Sequence, residues 1–242
     1  MKILIGSPVK QDEKIFQYYL ESLKNLKCDY EVDLFFLLHN SPELKKYLEP
    51  SQYEEYNNDT RYDKTYTHIW KKDNLKDVTI MKNYLLNKTL YEGYDYFFLV
   101  DSDIILHPKT LNHLVTQRQK IISEIFWTKW TQNEEEMPNA WQYDFYGYGQ
   151  EKEWRKWKEK ALWKVGYSGA CILIHRSVIE AGVNYSPIPN VSFSNWEDRA
   201  FCIRAAVHGF NIVMDTHYPA NHLYHEEDLK KYEIQRQMQI SR

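Results

Sequence analysis

The feature that most constrains this chain is an apolar segment, residues 94–100, that runs directly into Asp101-Ser102-Asp103. Near-continuous apolar runs are typical of strands buried on both faces of a parallel sheet. Because alternate side chains of an extended segment point the same way, both carboxylates can face one hard cation such as Mg²⁺ or Mn²⁺. A bare Asp-x-Asp usually marks only a solvated turn, but two anions beside a buried strand need a cation or donors to offset their desolvation. The segment therefore predicts a metal site at the edge of an α/β sheet.

Strands and helices are predicted to alternate around this segment. Residues 2–5 and 32–38 are expected to be strands, and helical spacing of apolar residues predicts a helix over 11–26 between them. Further helices are predicted over 78–91, 108–118, 177–181, 194–207 and from 226 onward, and further strands over 65–70, 121–128, 170–174 and 210–214. We expect an α/β fold, a three-layer sandwich around a mostly parallel sheet, in one domain over residues 1–242.

Composition and charge exclude several functional classes. The 242-residue chain has a formal net charge of -3, so no global positive field is present to hold a nucleic acid. Its three cysteines lie far apart without a CxxC pair, and no histidine has zinc-finger spacing. This argues against a disulfide framework or a structural zinc site and favours a reducing compartment. No apolar stretch approaches the roughly 20 residues of a membrane helix. We expect a soluble, cytoplasmic protein without a transmembrane segment.

Aromatic residues are concentrated in one part of the chain. The sequence has 20 Tyr, 10 Phe and 8 Trp, and six of the tryptophans fall between Trp127 and Trp163. Flat rings with polar handles suit the apolar faces of sugars, although rings of this kind also simply fill cores. We expect this stretch to form a wall and lid in which Gly147 and Gly149 supply backbone freedom. The alternative is that Trp154 and Trp157 pin a charged helix to the core.

Two later segments carry further candidate residues. Ser194 and Glu197 have the spacing of a helix capping box, which leaves Asp198 as a free carboxylate and a candidate general base, or as a surface acid favoured by the helix dipole. His222 and His225 lie three residues apart, and a neutral imidazole of either could complete a metal site begun by two carboxylates. A single histidine is more often structural.

Taken in order, these motifs resemble those of a GT-A glycosyltransferase of the family 2 type. The resemblance covers residues 1–229, and the order and spacing of five weak motifs is more specific than any one of them. The matching segments are Ile5-Gly6-Ser7-Pro8-Val9, Met81-Lys82-Asn83, Tyr94 to Asp103, Tyr167-Ser168-Gly169-Ala170, and Glu197 to Arg204 with Gly209-Phe210.

The resemblance implies a role for each matching residue. Residues 1–106 would bind the nucleotide-sugar donor, a UDP- or GDP-sugar, and residues 107–242, which end in a helix, would bind a glycan, protein or small-molecule acceptor. Mn²⁺ or Mg²⁺ would be held by Asp101, Asp103 and His222, with His225 as the alternative to His222. Asp198 would deprotonate the acceptor hydroxyl for an inverting transfer. The nucleotide pocket would be lined by Pro8, Val9, Asn40, Lys82, Asp101 and Ser102.

Lys82 departs from the pattern, since the resembling family more often has Arg at this position, and Lys offers a point charge without a bidentate fork. Two other functions remain open from the sequence. A sugar nucleotidyltransferase would also place acidic metal ligands on an α/β sheet, but usually has a Gly-rich phosphate loop where this chain has only Gly6-Ser7-Pro8. A non-catalytic carbohydrate-binding protein would keep the aromatic groove, but would not require an intact set of acids.

Overall fold

The computed structural model describes residues 1–64, 68–130, 135–143, 153–191 and 196–240. The strands in this part of the chain are β1 (Lys2–Val9), β2 (Glu31–His39), β3 (Tyr53–Tyr56), β4 (Asp63–Lys64), β5 (His68–Ile69), β6 (Tyr96–Val100), β7 (Ile104–Ile105), β8 (Ile121–Thr128), β9 (Met137–Pro138), β10 (Ala140–Trp141), β11 (Leu162–Val165), β12 (Tyr167–Ser168), β13 (Cys171–His175) and β14 (Ile212–His222). The α-helices are α1 (Glu13–Lys24), α2 (Lys72–Tyr91), α3 (Thr110–Thr116), α4 (Arg176–Glu180), α5 (Glu197–Val207) and α6 (Glu226–Ile240), and short 3₁₀ helices span Pro42–Tyr47, Pro50–Gln52 and Glu153–Lys158.

One large sheet organises the molecule. Its strands follow the order β11-β14-β8-β13-β6-β1-β2-β3, with β7 paired to β14 and β9 to β8. Four of the seven pairings along this path are parallel, namely β14–β8, β6–β1, β1–β2 and β2–β3. The strand β13 runs antiparallel to both of its neighbours, β6 and β8. The prediction of a mostly parallel sheet is confirmed.

Helices cover both faces of this sheet. One apolar core holds side chains of α2, α4 and α5, such as Met81, Val178 and Phe201. The other core lies on the opposite face and holds side chains of α1 and α3, such as Phe16 and Leu114. Each strand contributes side chains to both cores, because successive side chains along a strand point to opposite faces of the sheet. The three-layer α/β arrangement expected from the sequence is therefore present.

The structure corrects several predicted boundaries. The strand β8 has the predicted limits, but α2 begins at Lys72, six residues before the predicted start. The strand β3 lies in a polar segment for which no strand was predicted from the sequence, and it pairs with β2. The strand β14 continues to His222 instead of ending at residue 214, because after an irregularity its far end pairs with β7. Within the described residues, no helix is both long and apolar enough to cross a membrane.

Candidate active site

A cavity of about 810 Å³ opens at the carboxyl ends of β1, β2 and β6. This is the edge where open α/β sheets bind their ligands. Pro8 and Val9 end β1, His39 ends β2, and the segment 101–103 follows β6. The remaining wall comes from α2, the β12–β13 connection, the start of α5 and the end of β14, and includes Met81, Lys82, Tyr167, Gly169, Trp196, Asp198 and His222. The size suits a ligand of a few hundred daltons.

Strand pairing brings His222 next to Asp103. The strand β7 directly follows the Asp-x-Asp segment and pairs with the far end of β14, so that Ile104 lies opposite His222. The backbone N–H of Leu223 donates to the carbonyl oxygen of Asp103 at 2.9 Å. Nε2 of His222 consequently lies 3.4 Å from Oδ2 of Asp103. Two of the three predicted metal ligands thus meet, although 119 positions separate them (222 − 103).

The ring of His222 is held in one orientation. A hydrogen bond of 2.7 Å joins its Nδ1 to Oγ1 of Thr128, which leaves Nε2 directed at Asp103. Such partners fix the ring orientation of metal-binding histidines. His225, the alternative ligand, instead points Nε2 at the carbonyl oxygen of Lys129 at 2.7 Å, and it does not line the cavity. Nothing in the sequence singled out Thr128, because its role depends on β8 and β14 being neighbours.

Asp101 contributes a second carboxyl group to the same cavity. Desolvation raises its pKa to about 7, and the neighbouring carboxylates of Asp198 and Asp103 add to this, whereas the ammonium group of Lys82 opposes it. Among the described residues, the cavity wall holds four carboxyl groups, Asp101, Asp103, Glu197 and Asp198, and two ammonium groups, Lys10 and Lys82. An anionic ligand such as a diphosphate would be repelled by this wall without a cation. Two carboxylates and an imidazole form a donor set that fits Mn²⁺ and tolerates Mg²⁺.

Lys82 forms a buried ion-pair cluster with the two acids at the start of α5. Its side chain is 2% exposed, and Nζ lies 2.9 Å from Oε1 of Glu197 and 2.7 Å from Oδ1 of Asp198. Burial works against the charge of Lys82, but the two carboxylates hold its pKa well above the ordinary value. Burial also raises the pKa of Asp198 to about 6, with the like charge of Glu197 adding to it and Lys82 opposing it. Lys82, which was predicted to line the nucleotide pocket, lines this cavity, and its ion-pair partners Glu197 and Asp198 are carboxylates of the protein.

The capping-box interpretation of Glu197 is wrong. The helix α5 begins at Glu197 itself and its N-cap residue is Trp196, without a side-chain capping bond. A capping-box acid would occupy the third helical position. Ser194, the predicted cap, lies outside the described residues. The carboxylate of Glu197 instead accepts a buried hydrogen bond from the ammonium group of Lys82. These two residues are 115 positions apart, so sequence spacing could not reveal the pair.

Gly169 leaves room for Asp198. A Cβ atom placed on Gly169 would lie 2.2 Å from Oδ2 of Asp198, far inside van der Waals contact. The next residue, Ala170, has a φ of 65°, in the left-handed region, and its carbonyl accepts a 2.8 Å hydrogen bond from the backbone N–H of Asp101. Gly169 and Ala170, which precede β13, therefore contact Asp198 and Asp101, respectively. Only glycine fits at position 169.

The part of the cavity next to the ends of β1 and β2 is lined only in part by the residues predicted for the nucleotide pocket. Pro8, Val9 and Ser102 line it, but Asn40 does not, because its side chain is bonded to the backbone of Asn58. His39 takes that place, fully buried, with Nδ1 3.1 Å from the hydroxyl of Tyr62. Sequence reasoning missed both His39 and Tyr62. The signal available was that His39 is the last polar residue of a buried strand.

The aromatic stretch divides between the cavity and the core. Trp130 and Trp141 line the cavity, and the ring of Trp141 packs edge-on against Tyr167 at 4.5 Å between centroids. Trp154 and Trp157 are 4% and 6% exposed in the core, on a 3₁₀ segment in place of the predicted helix. The core alternative holds for those two tryptophans. The predicted lid, with Gly147, Tyr148 and Gly149, lies outside the described residues.

Comparison with known proteins adds information on the fold. No protein-family profile matches the sequence, and no curated protein matches it either. Solved structures do match: GalNAc-T7 with UDP, GalNAc and Mn²⁺ superposes with a TM-score of 0.56 at 10% identity over 94% of this chain and 44% of that one. The fold is of the GT-A type. A crystal structure of residues 1–349 of S. aureus TarS matches with a TM-score of 0.51 at 13% identity over 90% of this chain and 60% of that chain.

The GT-A-type fold is shared with nucleotidyltransferases. A CMP:2-keto-3-deoxy-manno-octonic acid synthetase complexed with CTP matches with a TM-score of 0.53 at 9% identity, covering 98% of both chains. This chain therefore spans less than two thirds of the TarS and GalNAc-T7 structures named above and almost the whole of the synthetase. At these identities the likeness shows the fold, and the choice between the two chemistries depends on the residues of the cavity.

Proposed function

We propose that this chain is a metal-dependent glycosyltransferase that moves a hexosyl group from a UDP- or GDP-sugar to an acceptor hydroxyl with inversion. The observation that carries the proposal is the meeting of Asp101, Asp103 and His222 on one wall of a cavity that also contains Asp198. The donor would lie against the 1–106 half of a single domain and the acceptor against the 107–242 half.

The proposed chemistry assigns each group a task. Asp101, Asp103 and His222 would hold a Mn²⁺ or Mg²⁺ ion, which when bound supplies positive charge for the diphosphate leaving group. Asp198 would accept the proton of the acceptor hydroxyl, so that the hydroxyl oxygen attacks the anomeric carbon from the face opposite the diphosphate. Lys82 supports the ionised form of Asp198 through its 2.7 Å bond. Trp130 and Trp141 offer faces on which a sugar can stack and which exclude water.

A sugar nucleotidyltransferase is the second candidate, and the whole-chain match to the CTP-bound synthetase favours it. Two features of this chain weigh against it. The connection after β1 has no Gly-rich phosphate loop, since Gly6 lies inside the strand and is followed by Ser7, Pro8 and Val9. The Asp198 carboxylate with its own lysine partner suits deprotonation of an acceptor hydroxyl, which a nucleotidyltransferase whose substrate attacks through a phosphate oxygen does not need.

The products distinguish these functions. The purified chain is incubated with UDP- and GDP-sugars, Mn²⁺ and mixed acceptors, and separately with CTP or UTP and free or phosphorylated sugars. We expect release of UDP or GDP, no pyrophosphate, loss of turnover in excess EDTA and in Asp103→Asn, and an inverted anomeric configuration by NMR. Pyrophosphate release would establish the nucleotidyltransferase. Donor binding without either product would establish a non-catalytic carbohydrate-binding protein.

The cellular compartment is also part of the proposal. Cys28, Cys171 and Cys202 are all free thiols. Unpaired cysteines are usual in reducing compartments. This supports the proposal that the enzyme acts in the cytoplasm.

A further inference from the structure

A second group of metal-ligating side chains lies between α3 and β14, away from the cavity. His113 comes from α3, and Asp215 and His217 come from β14. One potential ligand atom from each of the three lies within 4.8 Å of the others. None of them lines the cavity, and the proposed glycosyl transfer uses none of them.

The three side chains converge on one carboxylate. Oδ2 of Asp215 lies 2.9 Å from Nε2 of His113 and 3.1 Å from Nδ1 of His217. The two imidazole rings lie next to each other, with centroids 4.6 Å apart and ring planes tilted by 49°. Neighbouring ligand atoms of a tetrahedral zinc ion, at metal–ligand distances of about 2.0–2.1 Å, are about 3.3 Å apart. The two separations from Oδ2 of Asp215 are slightly shorter than that value, and all three ligand atoms lie within 4.8 Å of one another, so an ion would enter after rotations of the two imidazole side chains.

The surroundings favour a cation at this point. Asp215 is completely buried, and so is Glu124, its partner in the parallel pairing of β14 with β8. Paired residues of neighbouring strands project from the same face, so the two carboxyl groups lie side by side, and neither oxygen of Glu124 makes a hydrogen bond of normal geometry. Burying two ionised carboxylates together is costly unless a cation accompanies them or one of them takes up a proton, so a bound cation would stabilise this pair.

The site is also reachable from solvent. The side chains of His113 and His217 are 21% and 32% exposed, while Asp215 forms the closed floor. Two imidazoles and one carboxylate select a borderline transition metal over Mg²⁺ or Ca²⁺, which prefer all-oxygen sites. Three protein ligands with one open side match the coordination that Zn²⁺ accepts.

We propose that His113, Asp215 and His217 bind a Zn²⁺ ion, at a site separate from that of Asp101, Asp103 and His222. The ion would fasten α3 to β14, the strand whose far end carries His222. The alternative is that the same side chains form only an Asp–His hydrogen-bond cluster that binds no metal. The metal content of the protein distinguishes these two interpretations.

The test measures zinc binding by untagged full-length protein with a competing chromophoric chelator. Asp103→Asn serves as the background, because it disables the other metal site. We expect one Zn²⁺ per chain in this background, and roughly 100-fold weaker binding or worse when His113→Ala and His217→Ala are added, since even outer-shell changes cost 10–100-fold. His208→Ala, an exposed histidine at the end of α5, is the matched control and should bind like the background.

A second readout covers the case in which the double variant fails to fold. His217→Gln removes one ligand at a partly exposed position, and it should lose the visible absorption of tetrahedral Co²⁺ that the background shows. Zinc should also raise the melting temperature of the background but not of His217→Gln. The proposal is overturned if the background takes up no zinc at micromolar concentrations, or if His217→Gln binds zinc and cobalt as the background does.

Discussion

Nζ of Lys82 lies 2.7 Å from Oδ1 of Asp198 and 2.9 Å from Oε1 of Glu197, so one buried lysine serves two carboxylates. When all three groups are ionised, the two carboxylates and the one ammonium group give the cluster a net charge of −1. Burial raises the pKa of Asp198 to about 6, and Lys82 prevents it from rising further. This cluster therefore sets the pH range over which Asp198 can act as a base.

The first prediction concerns the pH dependence of turnover. Because the protonated form of Asp198 cannot accept a proton, kcat/KM should be low below the pKa and rise through about pH 6 to a plateau. Lys82→Gln removes the charge that lowers this pKa, so its acid limb should move to higher pH. Rates are measured at saturating Mn²⁺ from pH 5 to 9. An acid limb at the same pH in both proteins would show that Asp198 is not the titrating base.

The second prediction separates the two acids of α5. Asp198→Asn keeps the shape of the side chain and removes its basicity, so kcat should fall by about 10² or more with donor affinity nearly unchanged. Glu197→Gln should reduce kcat by less than about tenfold. It should also move the acid limb to lower pH, because the like charge of Glu197 raises the pKa of Asp198. If Glu197→Gln is the inactive variant, the base has been assigned to the wrong residue.

The third prediction separates the two histidines near the end of β14. His222→Ala should weaken the Mn²⁺ dependence of donor binding and abolish most turnover, because Nε2 faces Asp103. His225→Ala should retain both, although it loses the bond to the carbonyl of Lys129. Titration calorimetry with UDP or GDP at several Mn²⁺ concentrations measures the difference. If His225→Ala is inactive and His222→Ala is active, His225 and not His222 is the metal ligand.

The fourth prediction concerns Gly169. Gly169→Ala places a methyl group where Oδ2 of Asp198 now lies, and Lys82 restrains the carboxylate from moving away. A displacement of about 1 Å in a reacting group can cost about 10²-fold in rate, so kcat should fall by that order. In an Asp198→Asn background the same change should cost much less, because the group it displaces no longer acts. Equal losses in both backgrounds would mean that Gly169→Ala damages the fold.

The fifth prediction concerns the aromatic wall. Trp141→Ala should raise the KM of the acceptor and the fraction of donor lost to hydrolysis, with donor affinity unchanged, because Trp141 lines the cavity. Trp163 lies on β11 within the same stretch of sequence but does not line the cavity, so Trp163→Ala is the matched control. If Trp141→Ala weakens donor and acceptor equally, or unfolds, its ring belongs to the core. Tyr148→Ala is expected to behave as Trp141→Ala does.

Much of the fold could be predicted from sequence because the signals are local. Apolar runs such as Tyr96–Val100 indicate buried strands, and their alternation with amphipathic helices indicates an α/β sandwich. The position of Asp101 and Asp103 at the end of a strand follows from the same pattern. Glycine after a helix, as at Gly93 and Gly209, marks its end, and both adopt a positive φ in the structure.

The rest depended on contacts between distant segments, which local patterns do not encode. Sequence placed Lys82 among nucleotide-binding residues and Glu197 in a capping box, and only the packing of α2 against the start of α5 showed that they bind each other. The resemblance already favoured His222 over His225 as a metal ligand, but the proximity of His222 to Asp103 follows from the pairing of β7 with β14. The residue types that can do chemistry were visible in the chain, whereas their partners, and hence their charges and orientations, were decided by tertiary structure because pKa and geometry depend on neighbours in space.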